Sequence, residues 1–180
     1  MLTVVLHRSV AYHNWSHGFH VCNSIYSILK ASPGIFTPVE VSSSDTEMKL
    51  HHLDTFFIFQ SLGQWVGAIC HDLDHRGYNN KFMIDIKSPL AQVIQNITYM
   101  SDDDHAHDDA QIYTTSTMEN HHFTMGVSIL QQEANSIFDC LNPEEYKEAL
   151  DVMKKAILAT DLAMFFPNKA RLANIVKVLY

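Results

Sequence analysis

Two histidines and two aspartates fall within five consecutive positions of this chain, in the segment HDLDH at 71–75. An apolar run, WVGAIC at 65–70, precedes them, and we predict that it is the end of a buried helix. Such a helix carries polar groups into the interior, where an unpaired polar group is costly and an unpaired charge more so. A metal ion removes this cost, because neutral imidazoles and ionised carboxylates are then its ligands. The segment therefore predicts a metal site, with a self-satisfied polar helix end as the alternative.

The spacing within this segment favours a shared set of ligands. On a helix, His71 and His75 lie four residues apart and share a face, as do Asp72 and His75 at three residues apart. The following Gly77 suits a helix C-cap or a sharp turn.

Composition limits the function classes. With 180 residues, 47% of them hydrophobic and 18% charged, the chain is expected to form one globular domain. Twelve basic residues against 20 acidic ones argue against nucleic acid as the main partner, because phosphate backbones require basic patches. The three cysteines, Cys22, Cys70 and Cys140, form no C-x-x-C pattern, so any metal is expected to be zinc, magnesium or manganese held by nitrogen and oxygen.

No targeting signal is evident in the sequence. The apolar run at 2–6 is too short for a secretory signal, and the run at 53–70 is interrupted by polar residues, which argues against a membrane span. We therefore expect a cytoplasmic protein.

Apolar periodicity predicts helices over Val10–Ala31, Leu53–Cys70 and Asn168–Tyr180, with short helical pieces around Pro89. The first of these helices contains His13 and His17, one turn apart. Alone, such a pair is more often two ordinary histidines, but together with the segment at 71–75 it favours a site, with one imidazole on a metal and the other near a bound substrate. The acidic run at 101–109 is expected to be a solvated loop. In the absence of strand alternation, the predicted fold class is all-α, a multi-helix bundle.

Two further helix starts carry capping signals. Ser116 and Glu119 match a capping box, so Glu119 has a structural explanation that competes with a role in a site. Asn142 precedes Pro143 and two acidic residues, which is typical of a helix N-terminus.

Four blocks of the chain, in the same order, resemble those of the class I cyclic nucleotide phosphodiesterases: YHNWSHGFHV (12–21), HDLDHRGYNNKF (71–82), MENHHF (118–123) and ILATDLAMFF (157–166). Two longer stretches look most similar to the type 10, dual-specificity branch: YTTSTMENHHF (113–123) and VSILQQEANSIF (127–138). The resemblance implies an incomplete phosphodiesterase-type HD-domain bundle and hydrolysis of 3′,5′-cyclic nucleotides, cAMP or cGMP or both, to 5′-monophosphates in signalling.

The same resemblance implies a role for each residue that matches a family motif. His17, His71 and Asp72 would bind a first metal, usually zinc, and Asp72 would bridge to a second, usually magnesium. Three residues, His75, Glu119 and Thr160, match positions that hold the waters of the second metal. His13 matches the histidine that protonates the leaving O3′, while Asp74 and Asn80 are assigned a supporting role.

The chain also departs from the family pattern. Residues 38–60 and 92–112 look inserted, Gly18 stands where many members have alanine, and His20 stands where asparagine is usual. The family domain has further helices before Tyr12, and its second aspartate ligand and base-binding residues would follow Tyr180. We therefore expect 1–180 to be a partial catalytic domain with little or no activity alone.

Two other functions remain open at this stage. One is a non-catalytic interaction fragment or a gene-model product, and the other is a different HD-type metal phosphohydrolase. The sequence also leaves open the choice between cAMP and cGMP and whether a full-length form is a homodimer.

Overall fold

The computed structural model describes residues 2–31, 60–100 and 116–179, and its regular structure in these ranges is entirely helical. The all-α fold class predicted from the sequence is therefore confirmed. The helices in chain order are α1 (Leu2–Leu6), α2 (Trp15–Ala31), α3 (60–70 among the described residues), α4 (Asn80–Asp85), α5 (Pro89–Met100), α6 (Thr117–Leu130), α7 (Pro143–Leu158) and α8 (Leu162–Leu179), with a 3-10 turn at Glu133–Asn135.

Helix α2 begins at Trp15, whereas its apolar periodicity predicted a start at Val10. Asn14 sets this start, because its Oδ1 accepts a hydrogen bond from the backbone N–H of His17 at 3.3 Å. A residue that caps a helix in this way stands outside the helical backbone. The prediction that His13 and His17 occupy one helix is therefore wrong: His13 lies in the bend that precedes α2.

Helix α3 ends at Cys70, and residues 71–74 form turns. The backbone N–H of Leu73 bonds to the carbonyl of Cys70, and that of His75 to the carbonyl of Asp72, both at 3.1 Å. His71 and His75 therefore do not share a helical face, contrary to the spacing argument. The sharp turn predicted at Gly77 is present, with a φ of +81°.

The core is built around α6, which packs against α4, α5 and α7. The larger apolar cluster joins α3 and the turn after it to α6, the segment after α6, and α7: Val66, Cys70, Leu73, Ile129, Leu130, Phe138, Ala149, Met153 and Ile157. A smaller cluster joins α4, α5 and α6 through Met83, Ala91 and Met118.

Helices α3 and α7 approach closely because two glycines of α3 face α7. A Cβ added at Gly63 would lie 2.6 Å from the carbonyl oxygen of Ala149, and one at Gly67 would lie 3.2 Å from that of Met153. Only hydrogen fits at the first position, so the glycines allow α3 to pack closely against α7 just before the turn at 71–75.

Local capping signals had different outcomes at the two predicted starts. At α7 the predicted start with Asn142 as the cap and Pro143 in the first turn is confirmed, and the structure adds a complete capping box between Asn142 and Glu145. At α6, Ser116 makes no capping hydrogen bond. Its hydroxyl instead donates to Asp161 Oδ2 at 2.6 Å, so the predicted capping box is wrong.

Helix α8 begins at Leu162, six residues before the predicted start at Asn168. Asp161 stabilises this start, because its Oδ1 accepts a hydrogen bond from the backbone N–H of Ala163 at 2.9 Å. Helical pieces are present around Pro89, as predicted: α4 lies before it and α5 begins with it.

Several predictions concern residues outside the described ranges. The proposed insertion at 38–60 and the acidic run at 101–109 lie there almost entirely, and of the insertion at 92–112 only 92–100 is described, as part of α5. Within the described residues, no helix combines the length and the apolar character that crossing a membrane requires.

Candidate metal centre

Five side chains singled out from the sequence converge into two groups that share Asp72. One group consists of His17, His71 and Asp72, and the other of His13, Asp72 and His75; in each, the potential ligand atoms lie within 4.8 Å of one another. Helix α2 supplies His17 and the bend before it supplies His13. The turn after α3 supplies the other three, so packing of α2 against the end of α3 creates both groups.

The first group has the dimensions of a small coordination shell. The Nε2 atoms of His17 and His71 face each other at 3.3 Å, and they lie 3.5 and 3.2 Å from Asp72 Oδ2. Two nitrogens bound to one tetrahedral zinc, each at about 2.0–2.1 Å, are themselves about 3.3 Å apart. The three edges of this group therefore fit a tetrahedral ion without further movement.

The orientation of His71 leaves the correct nitrogen available. Its Nδ1 lies 2.7 Å from the carbonyl oxygen of Ala68 and donates to it, so in the neutral imidazole the lone pair is on Nε2, which faces the group. A backbone carbonyl behind an imidazole is the usual device that fixes the tautomer and ring orientation of a metal ligand.

Electrostatics favour an ionised carboxylate at the centre of both groups. Burial disfavours ionised Asp72, but hydrogen bonds and charge from His71 and His13 outweigh it, so the pKa of Asp72 lies well below its usual range. Burial lowers the pKa of His17, which therefore favours the neutral form that binds metals. Burial also opposes protonation of His71, yet the adjacent Asp72 raises its pKa, so a bound cation must displace a proton there.

The second group places His13 between Asp72 and His75. The Nδ1 of His13 lies 3.0 Å from Asp72 Oδ2, and its ring stacks on that of His75 with 3.9 Å between centroids. The Nδ1 of His75 accepts the backbone N–H of Gly77 at 3.0 Å, and burial lowers the pKa of His75. The side chain of His13 is 41% exposed, so a molecule in solution has access to it.

A separate carboxyl network lies beside these groups and is organised by Asn80. The Nδ2 of Asn80 donates to Glu119 Oε2 at 2.7 Å and is 3.3 Å from Asp161 Oδ2, while its Oδ1 accepts the backbone N–H of Met118 at 2.8 Å. The buried Ser116 hydroxyl completes the shell of Asp161. Burial, together with the negative charge of Asp161, raises the pKa of Glu119 to about 7.

Two other predicted site residues lie outside both groups. Thr160 is exposed and its hydroxyl donates to the carbonyl of Ile157 at 2.7 Å; with His71 it lines a cavity of about 330 Å³ between α2, α3 and α7. Asp74 points away from the shared carboxylate and contacts Arg8 and His121. The supporting roles predicted for Asp74 and Asn80 are thus of different kinds.

Sequence analysis missed three residues that the structure joins to this region: Arg8, Asp161 and His121. Asp161 precedes an apolar run, a position typical of an N-cap, so a local signal was present. His121 lies inside a matched motif without an assigned role. Nothing in the sequence around Arg8 indicated that it contacts a residue 66 positions later.

Comparison with known proteins matches residues 12–179 to the family described as 3′5′-cyclic nucleotide phosphodiesterase. A probable 3′,5′-cyclic phosphodiesterase, pde-5, of Caenorhabditis elegans is 40% identical over 166 residues, which are 92% of this chain and 17% of that protein. The cGMP-specific 3′,5′-cyclic phosphodiesterases of Drosophila virilis and Drosophila melanogaster are each 36% identical over 171 residues, 95% of this chain. Those residues are 15% and 12% of the two fly proteins.

This chain therefore spans less than a fifth of the length of these relatives. The matched range nonetheless covers the bend with His13, helix α2, the turn at 71–75 and the carboxyl network, and it contains every residue of both groups around Asp72. The chain belongs to the 3′,5′-cyclic nucleotide phosphodiesterase family.

Proposed function

We propose that this chain contributes the metal-binding part of an enzyme that hydrolyses 3′,5′-cyclic nucleotides to 5′-monophosphates. The observation that supports this most directly is the position of Asp72, whose one carboxylate belongs to two histidine groups. A shared carboxylate is what a two-metal phosphoesterase centre requires, because both ions must lie close to one phosphoryl group.

The donor set supports an assignment of the metals. His17, His71 and Asp72 would hold zinc, and Asp72 would extend to magnesium or manganese, whose waters His75, Glu119 and Thr160 would hold. Nitrogen donors suit zinc, and carboxylate and water suit magnesium or manganese. When bound, such metals supply charge neutralisation at the phosphoryl oxygens and lower the pKa of a water to roughly 7.

We propose that His13 donates the proton to the leaving O3′. Its Nδ1 is engaged by Asp72 and its ring is held against His75, which leaves Nε2 free to face a substrate. The partial exposure of the side chain is consistent with this access. A positioned proton donor of this kind contributes about 10²–10⁴-fold to the rate.

We propose cGMP as a substrate, since the fly relatives are named cGMP-specific. The type 10 branch predicted from two sequence stretches would add cAMP, and that assignment stays a prediction. We also propose a cytoplasmic location and a role in cyclic-nucleotide signalling. Homodimer formation by a longer form is a further prediction, which sedimentation would check.

The test compares cGMP, cAMP and a linear nucleoside triphosphate as substrates, with Zn²⁺ and Mg²⁺ present, for this chain and for a longer chain that contains it. We expect the longer chain to hydrolyse a cyclic nucleotide. We expect the 180-residue chain to be much slower, because its first group contributes only three protein ligands among the described residues.

Replacement of His13 by Gln in the longer chain should reduce turnover by roughly 10²–10⁴-fold. Turnover of the triphosphate without turnover of either cyclic nucleotide would instead favour another HD-type phosphohydrolase. Absence of any turnover in both chains would favour a non-catalytic interaction fragment.

A further inference from the structure

The turn at 71–75 is held from outside by Asp74. This aspartate has a φ of +57°, in the left-handed region of the backbone that residues other than glycine rarely adopt. Its backbone N–H donates to the carbonyl of Leu6 at 2.8 Å. A conformation of this kind persists only where surrounding contacts hold it.

The carboxylate of Asp74 supplies those contacts. Its Oδ1 accepts a hydrogen bond from Arg8 Nε at 2.5 Å, and its Oδ2 lies 2.8 Å from His121 Nε2. Burial disfavours the ionised side chain, but His121 and Arg8 outweigh it and lower the pKa of Asp74. The segment that contains Leu6 and Arg8, the turn, and helix α6 therefore meet at one carboxylate.

The position of Asp74 gives these contacts a consequence for the metal groups. Asp72 and His75 lie on either side of it in the turn and are tied to each other by the hydrogen bond from His75 N–H to the Asp72 carbonyl. A rotation at residue 74 would therefore move Asp72 and His75 relative to His17, which is fixed in α2.

We propose that Arg8 is a positioning residue for the metal centre, acting through Asp74, with His121 as the second half of the same clamp. This inference rests on the proposed function, because it presumes that the two groups around Asp72 bind metal. Arg8 lies outside every motif that matched the family, so its role follows from the contact alone.

Arg76 provides a matched control within the same turn. It also faces the Asp74 carboxylate, but its Nη2 is 3.5 Å from Oδ2, and its side chain is 42% exposed against 53% for Arg8. The two arginines thus offer the same charge to the same acceptor with similar exposure. Only Arg8 makes a short hydrogen bond and belongs to a different segment of the chain.

The experiment measures Zn²⁺ affinity of the full 180-residue chain by competition with a chromophoric chelator, for the wild type and for Arg8→Gln, Arg8→Lys and Arg76→Gln. Loss of a direct partner of a metal ligand typically costs 10–100-fold, and because Arg8 acts one step further away, through Asp74, we expect a loss at the lower end, roughly tenfold, for Arg8→Gln. Arg8→Lys, which keeps the charge, should recover most of this loss, and Arg76→Gln should bind like the wild type.

A second readout separates positioning from general stability. The visible spectrum of the Co²⁺-loaded protein reports the ligand geometry, and we expect Arg8→Gln to change it while the melting temperature without metal stays close to that of the wild type. Should Arg8→Gln fail to fold, His121→Gln removes the other half of the clamp and is expected to weaken Zn²⁺ binding by roughly tenfold.

The inference would be overturned if Arg8→Gln had the Zn²⁺ affinity and the Co²⁺ spectrum of the wild type. If Arg8→Gln does not fold, wild-type Zn²⁺ affinity in His121→Gln would overturn it. An equal loss of Zn²⁺ affinity in Arg8→Gln and Arg76→Gln would also overturn it, because the loss of one positive charge near Asp74 would then explain the effect. Failure of the wild type itself to bind Zn²⁺ would instead contradict the proposed function.

Discussion

Two polar clusters lie side by side in this molecule and are satisfied in different ways. Around Asp72, several imidazole nitrogens face one carboxylate, and two of them, on His17 and His71, face each other at 3.3 Å. Around Asn80, the carboxylates of Glu119 and Asp161 are met by an amide and a hydroxyl, each within hydrogen-bonding distance.

The difference indicates which cluster needs a ligand. The Nε2 atoms of His17 and His71 and the carboxylate of Asp72 are all potential metal ligands that face one another, and a cation would displace the proton that Asp72 favours on His71. The Asn80 cluster already has donors for its acceptors, and its hydrogen bonds join α4 to α6 and to Asp161, which precedes α8. A cluster in which several imidazole nitrogens face one carboxylate is thus a better sign of a metal site than a cluster whose carboxyl groups are paired with an amide and a hydroxyl.

Replacement of Asp72 by Asn tests this contrast with the largest expected effect. Because Asp72 belongs to both groups, its loss removes one ligand from each. We expect Zn²⁺ affinity to fall by at least roughly 100-fold, since even the loss of a partner behind a ligand costs 10–100-fold. Calorimetric titration measures this, with Asp85→Asn as the control, because Asp85 is exposed and pairs with Lys81 on α4.

Near-wild-type affinity in Asp72→Asn would mean that the histidines do not form a metal site. The two clusters would then both be structural, and the contrast between them would disappear.

Replacement of Glu119 by Gln tests the second cluster through its pH dependence. The pKa of Glu119 is raised by burial from 4.5 to about 7, so the folded state holds its proton more tightly than the unfolded chain. The stabilisation is complete below about pH 4.5 and is lost as pH rises towards 7. Without metal, we expect the wild type to lose about 2–3 kcal/mol more than Glu119→Gln between pH 4.5 and 8.

Urea unfolding of both proteins across this pH range measures the difference. Histidine titrations are common to the two proteins and therefore largely cancel. Parallel stability curves would show that Glu119 is ionised in the folded protein near its ordinary pKa, and its proximity to Asp161 would then have no energetic consequence.

Replacement of Ser116 by Ala removes one donor from the second cluster and should leave the first unchanged. The hydroxyl and the Asp161 carboxyl are both buried and lie 2.6 Å apart. Loss of a hydrogen bond to a buried charged group is expected to lower the free energy of unfolding by about 2 kcal/mol. Ser128→Ala is the control, because that exposed hydroxyl donates only to the carbonyl of Thr124 one turn back.

Zn²⁺ affinity should be equal in Ser116→Ala and Ser128→Ala. A fall in affinity confined to Ser116→Ala would show that the two clusters are linked and not merely adjacent.

Some of this organisation could be predicted from the sequence because its cause is local. The helix start at Asn142 was predicted correctly, since the cap residue, the proline and the acidic residues all lie within four positions. The capping box predicted at Ser116 does not form, because the Ser116 hydroxyl donates to Asp161, 45 positions away. Tertiary contacts therefore decided which of two similar signals formed.

The candidate centre shows the same division. The segment at 71–75 indicated a metal site from its residues alone and drew in the pair His13 and His17, and the resemblance to a family gave each of these two a specific role. The helical spacing expected for these histidines was nonetheless wrong, because Asn14 begins α2 after His13 and α3 ends before His71. The distances within each group come from packing between segments, which sequence spacing does not determine.

The smallest expected effect concerns His7, a buried histidine near the first group that belongs to neither cluster. Its Nδ1 bonds to the carbonyl of Thr3 at 2.6 Å, and its Nε2 is buried without a hydrogen-bond partner among the described residues. Gly18 of α2 lies directly against it: a Cβ at this position would be 3.0 Å from Nε2 of His7.

Gly18→Ala sets two opposing terms against each other. Alanine favours a helix interior over glycine by about 1 kcal/mol, whereas the crowded imidazole, held by Thr3, must shift by a few tenths of an ångström. In the wild type, overpacking is expected to cost about 1 kcal/mol or more and so to offset the gain in helix propensity. We therefore expect Gly18→Ala to be neutral or destabilising by up to about 1 kcal/mol. In a His7→Ala background the clash is absent, and the same change should stabilise by about 0.5–1 kcal/mol.

Thermal or urea unfolding of the four proteins in this cycle gives the coupling between the two positions. A positive coupling would show that the imidazole of His7 is rigidly held beside His17 and His71 although it takes no part in their cluster. Equal effects of Gly18→Ala in both backgrounds would instead show that His7 yields freely. His7 would then give α2 no rigid support beside His17. The 3.3 Å separation of the Nε2 atoms of His17 and His71 would therefore not depend on the N-terminal segment.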